Sequence, residues 1–255
     1  MTTIPLQTTV HGSGSGPGIV LAHGAGGAIE SNFGVVLADL AAAHTVVASD
    51  YPADDTVLDL DALADALVAA AVDAGVPTFT VVGFSLGTAV AVRAAARHPE
   101  RVTGLVLTAG LAAPDNRARL AVRAWQDLLA RGAYESFARL VLLTGFSTEF
   151  VNALPASAID ELVAQTAAAI PGGTRQQAAL IETVDTTADL AGIAVPTLIV
   201  NTTADLLVDP ANSRALAAAI PGAEYTEIDA GHVVMAERPE AWRKVLLDFL
   251  SRRGL

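Results

Sequence analysis

The chain has 255 residues, of which 52% are hydrophobic and 16% charged, a composition that excludes intrinsic disorder and is long enough to bury a large core without disulfides or metals. Its 27 acidic and 15 basic residues give a net charge of −12, which sets the average surface against phosphate backbones and anionic membranes, so neither nucleic acid nor membrane is an expected partner. Cysteine is absent, which removes disulfide frameworks, thiolate metal sites and a cysteine nucleophile together.

At the N-terminus, Met1-Thr2-Thr3-Ile4-Pro5 lacks a basic stretch followed by an apolar one, so the expectation is a cytoplasmic protein without a secretory leader. The stretch Gly12-Ser13-Gly14-Ser15-Gly16-Pro17-Gly18 precedes a strand instead of opening a helix, so it reads as a turn and not as a phosphate loop. Short apolar runs then predict strands at Ile19 to Ala22, Thr45 to Ser49, Thr78 to Val82, Val102 to Thr108, Thr197 to Asn201 and Glu224 to Ile228. Between them lie helical patterns. Val57 to Ala74 carries a stripe of Leu58, Leu60, Leu63, Leu67 and Val68, and Thr88 to Arg97 follows a later strand. Such alternation predicts a parallel sheet covered on both faces. From 111 to 187 no strand is expected; helices at Asp115 to Ala130, Tyr134 to Leu143, Ser157 to Ile170 and Arg175 to Thr187 are separated by Gly132, Gly145, Pro155 and Pro171-Gly172-Gly173. That segment reads as a helical insertion into a core formed by 1–110 and 188–255. Charges such as Asp61 and Asp65 interrupt every long apolar stretch, so no run reaches the roughly 18 residues of a membrane span.

The sharpest chemical signal is Gly83-Phe84-Ser85-Leu86-Gly87, a GxSxG sequence between an apolar strand and an Ala-rich helix. In that context the serine sits on a strained turn that projects its hydroxyl, and the flanking glycines let backbones pass close by. With His23-Gly24-Ala25-Gly26-Gly27 after an early strand, Asp205 after a late one and His232 within Asp229-Ala230-Gly231-His232, the chain resembles the α/β-hydrolase fold superfamily, of the lid-bearing serine esterase and lipase-like type. The resemblance spans nearly the whole chain. It implies a mostly parallel central sheet of about eight strands flanked by helices, with residues 111–187 as a helical lid.

A serine hydroxyl needs an imidazole to accept its proton, and the chain has five histidines. His11, His44 and His98 lie in turn or surface contexts, and in the resembling family a histidine at the place of His23 shapes the oxyanion turn without exchanging protons. This leaves His232, on a loop at a strand's C-terminal edge, where open α/β sheets bind ligands. For the carboxylate that steadies the imidazolium, Asp205 occupies the family's position, while Asp209 before Pro210 has an alternative as a helix cap and Asp229 as a turn former. Thr108-Ala109-Gly110 offers no acid after the preceding strand. The oxyanion donors are expected from backbone: Leu86 N–H after the nucleophile and, by resemblance, Ala25 N–H, with Gly26 as the alternative.

Residues 111–187 hold Trp125, Tyr134, Phe137, Phe146 and Phe150, five of the chain's twelve aromatics, which fits a lid over an apolar pocket. Arg117, Arg119, Arg123, Arg131 and Arg139 share the segment as a solvated face, or with one of them paired to a substrate carboxylate. Phe84 and Phe33 are candidates for either the pocket or the core. The expected activity is hydrolysis of a carboxylic ester or thioester of a small to medium apolar substrate through an acyl-enzyme, with no metal and no cofactor. The same residues also serve carbon–carbon bond hydrolysis, hydroxynitrile cleavage, acyl transfer and cofactor-free peroxide chemistry, and the fold also hosts small-molecule receptors. Abundant alanine and a single lysine, Lys244, against many arginines point to a GC-rich bacterial genome.

Overall fold

The computed structural model describes residues 4–255, so Met1 to Thr3, part of the N-terminal reading, lie outside the described residues. Its strands are β1 (Gln7–His11), β2 (Gly18–Ala22), β3 (Val46–Asp50), β4 (Phe79–Phe84), β5 (Val102–Thr108), β6 (Thr197–Thr202) and β7 (Glu224–Ile228). They form one seven-stranded sheet in the order β1-β3-β2-β4-β5-β6-β7, close to the expected eight. Every neighbouring pair is parallel except β1 with β3, which is antiparallel.

The central strands β2 and β4 are buried along their whole length, which explains why they read as continuous apolar runs. Alternate side chains go to opposite cores. Val20, Val81, Leu105 and Ile199 pack on one face with α2 (Leu60–Asp73) and α3 (Leu86–Arg97). Ile19, Leu21, Val82 and Val106 pack on the other with Phe33 of α1 (Ile29–Ala43) and with Trp242 and Phe249 near the C-terminus. Helix starts are capped where the sequence provides acids. Asp59 accepts from Ala62 N–H at 2.9 Å and Asp115 from Ala118 N–H at 2.7 Å. The glycine-rich turn before β2 lies against the end of α1, where Gly16 N–H donates to Ala43 O and His44 Nδ1 bonds Pro17 O.

Between β5 and β6 the chain forms five α-helices: α4 (Asn116–Ala130), α5 (Tyr134–Gly145), α6 (Thr148–Ala153), α7 (Ala156–Ala168) and α8 (Thr174–Thr183). Four follow the predicted segments, whereas α6 is an addition. Its six residues bury nothing, and its start is fixed by Ser147 Oγ accepting Phe150 N–H at 3.1 Å. After β6 come α9 (Pro210–Ala219), α10 (Val234–Glu237) and α11 (Pro239–Arg253), the last ending at left-handed Gly254. Among the described residues, no helix is long and apolar enough to cross a membrane.

Candidate active site

The predicted site residues all sit just past the C-terminal ends of parallel strands: Ala25 after β2, Ser85 after β4, Asp205 after β6 and His232 after β7. Ser85 has φ 52° and ψ −118°, the strained turn expected of GxSxG. The flanking glycines are sterically required: a Cβ on Gly87 would lie 1.8 Å from Ala22 O, and one on Gly83 would lie 2.5 Å from Gly87 O. Ser85 stands at the N-cap position of α3, yet its side chain caps nothing. Its hydroxyl instead lies 2.9 Å from His232 Nε2.

On its other side, His232 Nδ1 meets Asp205 Oδ2 at 2.7 Å. The carboxylate accepts a hydrogen bond from Nδ1–H, which holds the proton on Nδ1 and leaves the Nε2 lone pair facing the serine. Asp205 is fully engaged: Leu207 and Val208 N–H both donate to Oδ1 at 2.8 Å, and Thr202 Oγ1 donates to Oδ2 at 3.1 Å. The competing acids have other work, as their sequence contexts suggested. Asp209 caps α9 through Ala211 N–H at 2.7 Å, and Asp229 accepts from Thr203 Oγ1 at 3.2 Å.

The turn after β2 is held amide by amide. Gly24 N–H donates to Asn32 Oδ1, Gly26 N–H to Gln177 Oε1, Gly27 N–H to Gly24 O, Ala28 N–H to Ser31 Oγ and Ile29 N–H to Asp50 Oδ1. Within 24–29, only Ala25 N–H has no acceptor among the described residues. The Gly24 carbonyl, which shares a peptide plane with that N–H, is pulled the opposite way by His23 Nδ1–H at 2.8 Å and by Gly27 N–H at 3.3 Å. Leu86 N–H, at the start of α3, likewise has no acceptor among the described residues.

His23 is therefore a structural residue. It is buried, its Nε2 accepts Tyr51 N–H at 3.0 Å and its ring stacks on Tyr51 with centroids 3.8 Å apart. Burial holds its imidazole at about 4, against opposing contributions from the Gly24 carbonyl and Asp50. Below the ordinary 6.5, the unfolded chain accepts a proton that folded His23 refuses until about pH 4. Stability is thus full above pH 6.5 and falls as pH drops through that window, by up to about 3 kcal/mol from this residue. An NMR titration checks this: the His23 ring is expected to stay neutral to about pH 4, and protonation near 6.5 in the folded protein would overturn it. The other histidines are occupied away from Ser85: His11 with Thr9, His44 with Pro17 O and His98 with Asp65.

A cavity of about 470 Å³ lies over Ser85 and His232, roofed by α4, α5 and α8. Trp125, Phe137 and Phe146 line it, joined by Phe84, Val122 and Leu207. Phe150 stacks behind Phe146, Tyr134 is exposed, and Phe33 packs in the core against Trp242. No arginine lines the cavity: Arg117 binds Leu206 O, Arg123 pairs with Glu182 and Arg139 with Glu135. Two contacts that the sequence reading did not include join the helical segment to the site. One is the Gln177 bond to Gly26. The other is buried Glu237, whose Oε1 accepts Ser147 N–H at 2.7 Å and Gly231 N–H at 3.0 Å. Among the described residues, no group of three His, Asp or Glu side chains forms a metal-binding cluster.

Residues 17–239 match the sequence model of the alpha/beta hydrolase fold. The chain belongs to that family. It is 34% identical over 245 residues to a pyrrolizixenacetamide deacetylase of Xenorhabdus hominickii, covering 93% of this chain and 92% of the relative. It is 30% identical over 258 residues to a Klebsiella pneumoniae (strain 342) protein that bears the provisional name carbamate hydrolase RutD, covering 97% and 91%. The enol-lactonase structure from Burkholderia xenovorans LB400 superposes with a TM-score of 0.85 at 24% identity, covering 96% of each chain, a likeness of fold. This α/β hydrolase is a hydrolytic enzyme acting on a small-molecule substrate.

Proposed function

We propose that this hydrolase cleaves a carboxylic ester or thioester of a small to medium, uncharged, apolar substrate through an acyl-enzyme on Ser85. The observation that carries the reading is the unbroken Ser85–His232–Asp205 relay, at 2.9 and 2.7 Å, beside an amide turn with one free N–H. Ser85 Oγ attacks the acyl carbon while His232 Nε2 takes its proton. Ala25 and Leu86 N–H receive the tetrahedral oxyanion, each such donor being worth roughly 2.7–4 kcal/mol in the transition state. His232 then returns the proton to the leaving oxygen or sulfur, and water attacks the acyl-enzyme by the same route. Gly26, the alternative donor, spends its amide on Gln177, which favours Ala25.

Residues 111–187 act in this reading as a lid on the core formed by 1–110 and 188–255, and their aromatic side chains supply most of the apolar wall. An amide substrate is the second reading, favoured by the relative named as an acetamide deacetylase. The relay serves both, since each proceeds through the same tetrahedral anion.

The test is hydrolysis of p-nitrophenyl esters from acetate to decanoate, with Ser85→Ala as the blank. The expected result is a chain-length optimum that the variant loses. A p-nitrophenyl monoester of succinate should be cleaved roughly tenfold more slowly than the neutral ester of equal length, because the cavity is lined by Glu30 and, among the described residues, by no lysine or arginine to compensate a buried carboxylate. An equal or faster rate on the anionic ester would overturn the substrate class. Cleavage of an acetanilide in preference to every ester would move the assignment to the amide reading.

A further inference from the structure

Gln177 lies on α8, in the helical segment, 151 residues from the turn whose amide it accepts. Its side chain is 1% exposed, and Oε1 lies 2.8 Å from Gly26 N. A buried side-chain oxygen needs a hydrogen-bond partner, and here it takes one from a stretch of backbone that would otherwise be free to turn. Gly26 is such a backbone: its φ of +73° belongs to the region open to glycine, so the Ala25–Gly26 peptide plane has little intrinsic preference. The preceding plane is pinned by His23 and Gly27 on the Gly24 carbonyl, and among the described residues this one is pinned by Gln177 alone.

We infer that Gln177 is a positioning residue for the oxyanion hole: the lid holds the peptide plane that follows Ala25, as His23 and Gly27 hold the one that precedes it, and so fixes the place of Ala25 in the turn. The inference rests on the proposed Ser85 chemistry. With the Gly26 amide drawn toward α8, the turn presents one donor to the cavity in a fixed orientation. Without that acceptor, the Ala25–Gly26 plane rotates, Ala25 is held from one side only, and its N–H is in place for the oxyanion only part of the time. Ground-state binding depends on the apolar walls, so loss of Gln177 acts on the transition state.

The test uses the full chain and a fluorophosphonate probe, whose phosphoryl oxygen enters the oxyanion hole as Ser85 attacks phosphorus. Fluoride leaves and the Ser85 proton passes to His232. Gln177→Met keeps the volume and removes the acceptor, and Gln177→Leu replaces it if the methionine variant melts early. The labelling rate is expected to fall by between about tenfold and a hundredfold, as for misplaced catalytic groups. On the best ester, kcat should fall in parallel with KM nearly unchanged. Gln176→Met is the control, because Gln176 ties the same helix to Asp55 at 2.6 Å, away from the turn, and it should label at the wild-type rate. Equal slowing in the Gln176 and Gln177 variants would reduce the effect to seating of the lid and overturn the inference. So would wild-type labelling of folded Gln177→Met, or a rise in KM alone. If wild-type Ser85 itself resists the probe, the proposed chemistry falls and takes this inference with it.

Discussion

Ser85→Ala is expected to lower ester hydrolysis by at least about a thousandfold without unfolding the protein. Alanine removes the attacking oxygen and leaves the donors and apolar cavity in place, so the residual rate measures what binding and the oxyanion turn achieve alone. Retained activity would remove Ser85 from the mechanism. The same position carries a stability signature. At φ 52° and ψ −118°, Ser85 holds a backbone conformation costing of order 1–3 kcal/mol for any residue with a Cβ. Ser85→Ala keeps that strain, whereas Ser85→Gly relieves it. Glycine ordinarily destabilises a regular element by roughly 0.5–1 kcal/mol relative to alanine. Here Ser85→Gly should melt no lower than Ser85→Ala, although both are inactive. A clearly less stable glycine variant would mean that the elbow is unstrained.

Strain at Ser85 was foreseeable because its determinants are local. The strand before it, the helix after it and the glycines on either side lie in one continuous stretch from Phe79 to Arg97, and the buried parallel strands announce themselves as apolar runs. The same holds for His232 and Asp205, each on a loop just past a strand that the apolar pattern reveals. Elements without such a pattern were missed. β1, with the sequence Gln7-Thr8-Thr9-Val10-His11, is largely exposed on the sheet edge and held by antiparallel pairing with β3, so no apolar alternation marks it. Helix α6 buries no residue and exists because Ser147 caps it, and Glu237 holds Ser147 in turn. Gln177 and Glu237 were illegible for a related reason: the contacts that tie them to the other segment, Gly26 and Ser147, lie 151 and 90 residues away, and nothing in their neighbouring sequence distinguishes them from surface glutamines and glutamates. The proposed Ser85, His232 and Asp205 are written locally, and the contacts that tie the helical segment to them are written in tertiary structure.

Asp205→Asn is expected to cost at least about a thousandfold, and up to roughly ten-thousandfold, in kcat. All four hydrogen bonds to Asp205 are donated into it, two from backbone amides on Oδ1 and two from Thr202 and His232 on Oδ2. A carboxamide satisfies only half of that set. If its oxygen keeps the Leu207 and Val208 amides, its NH2 faces Thr202 and His232. The Thr202 hydroxyl rotates to accept, but the imidazole accepts only by giving up its Nδ1 proton. That proton then sits on Nε2, pointing at Ser85 Oγ, and the ring no longer serves as the serine's base. The flipped amide would set its two N–H donors against two backbone N–H donors in a buried site, leaving both unsatisfied at a cost of about 1–3 kcal/mol each. The first arrangement is thus favoured, and it preserves the fold while fixing the wrong tautomer. Asp209→Asn supplies the contrast, because asparagine caps α9 as well as aspartate does, so activity should change by no more than about twofold. Parallel kcat and melting measurements decide: if Asp205→Asn keeps near-full turnover and Asp209→Asn loses it, the acid passes to Asp209.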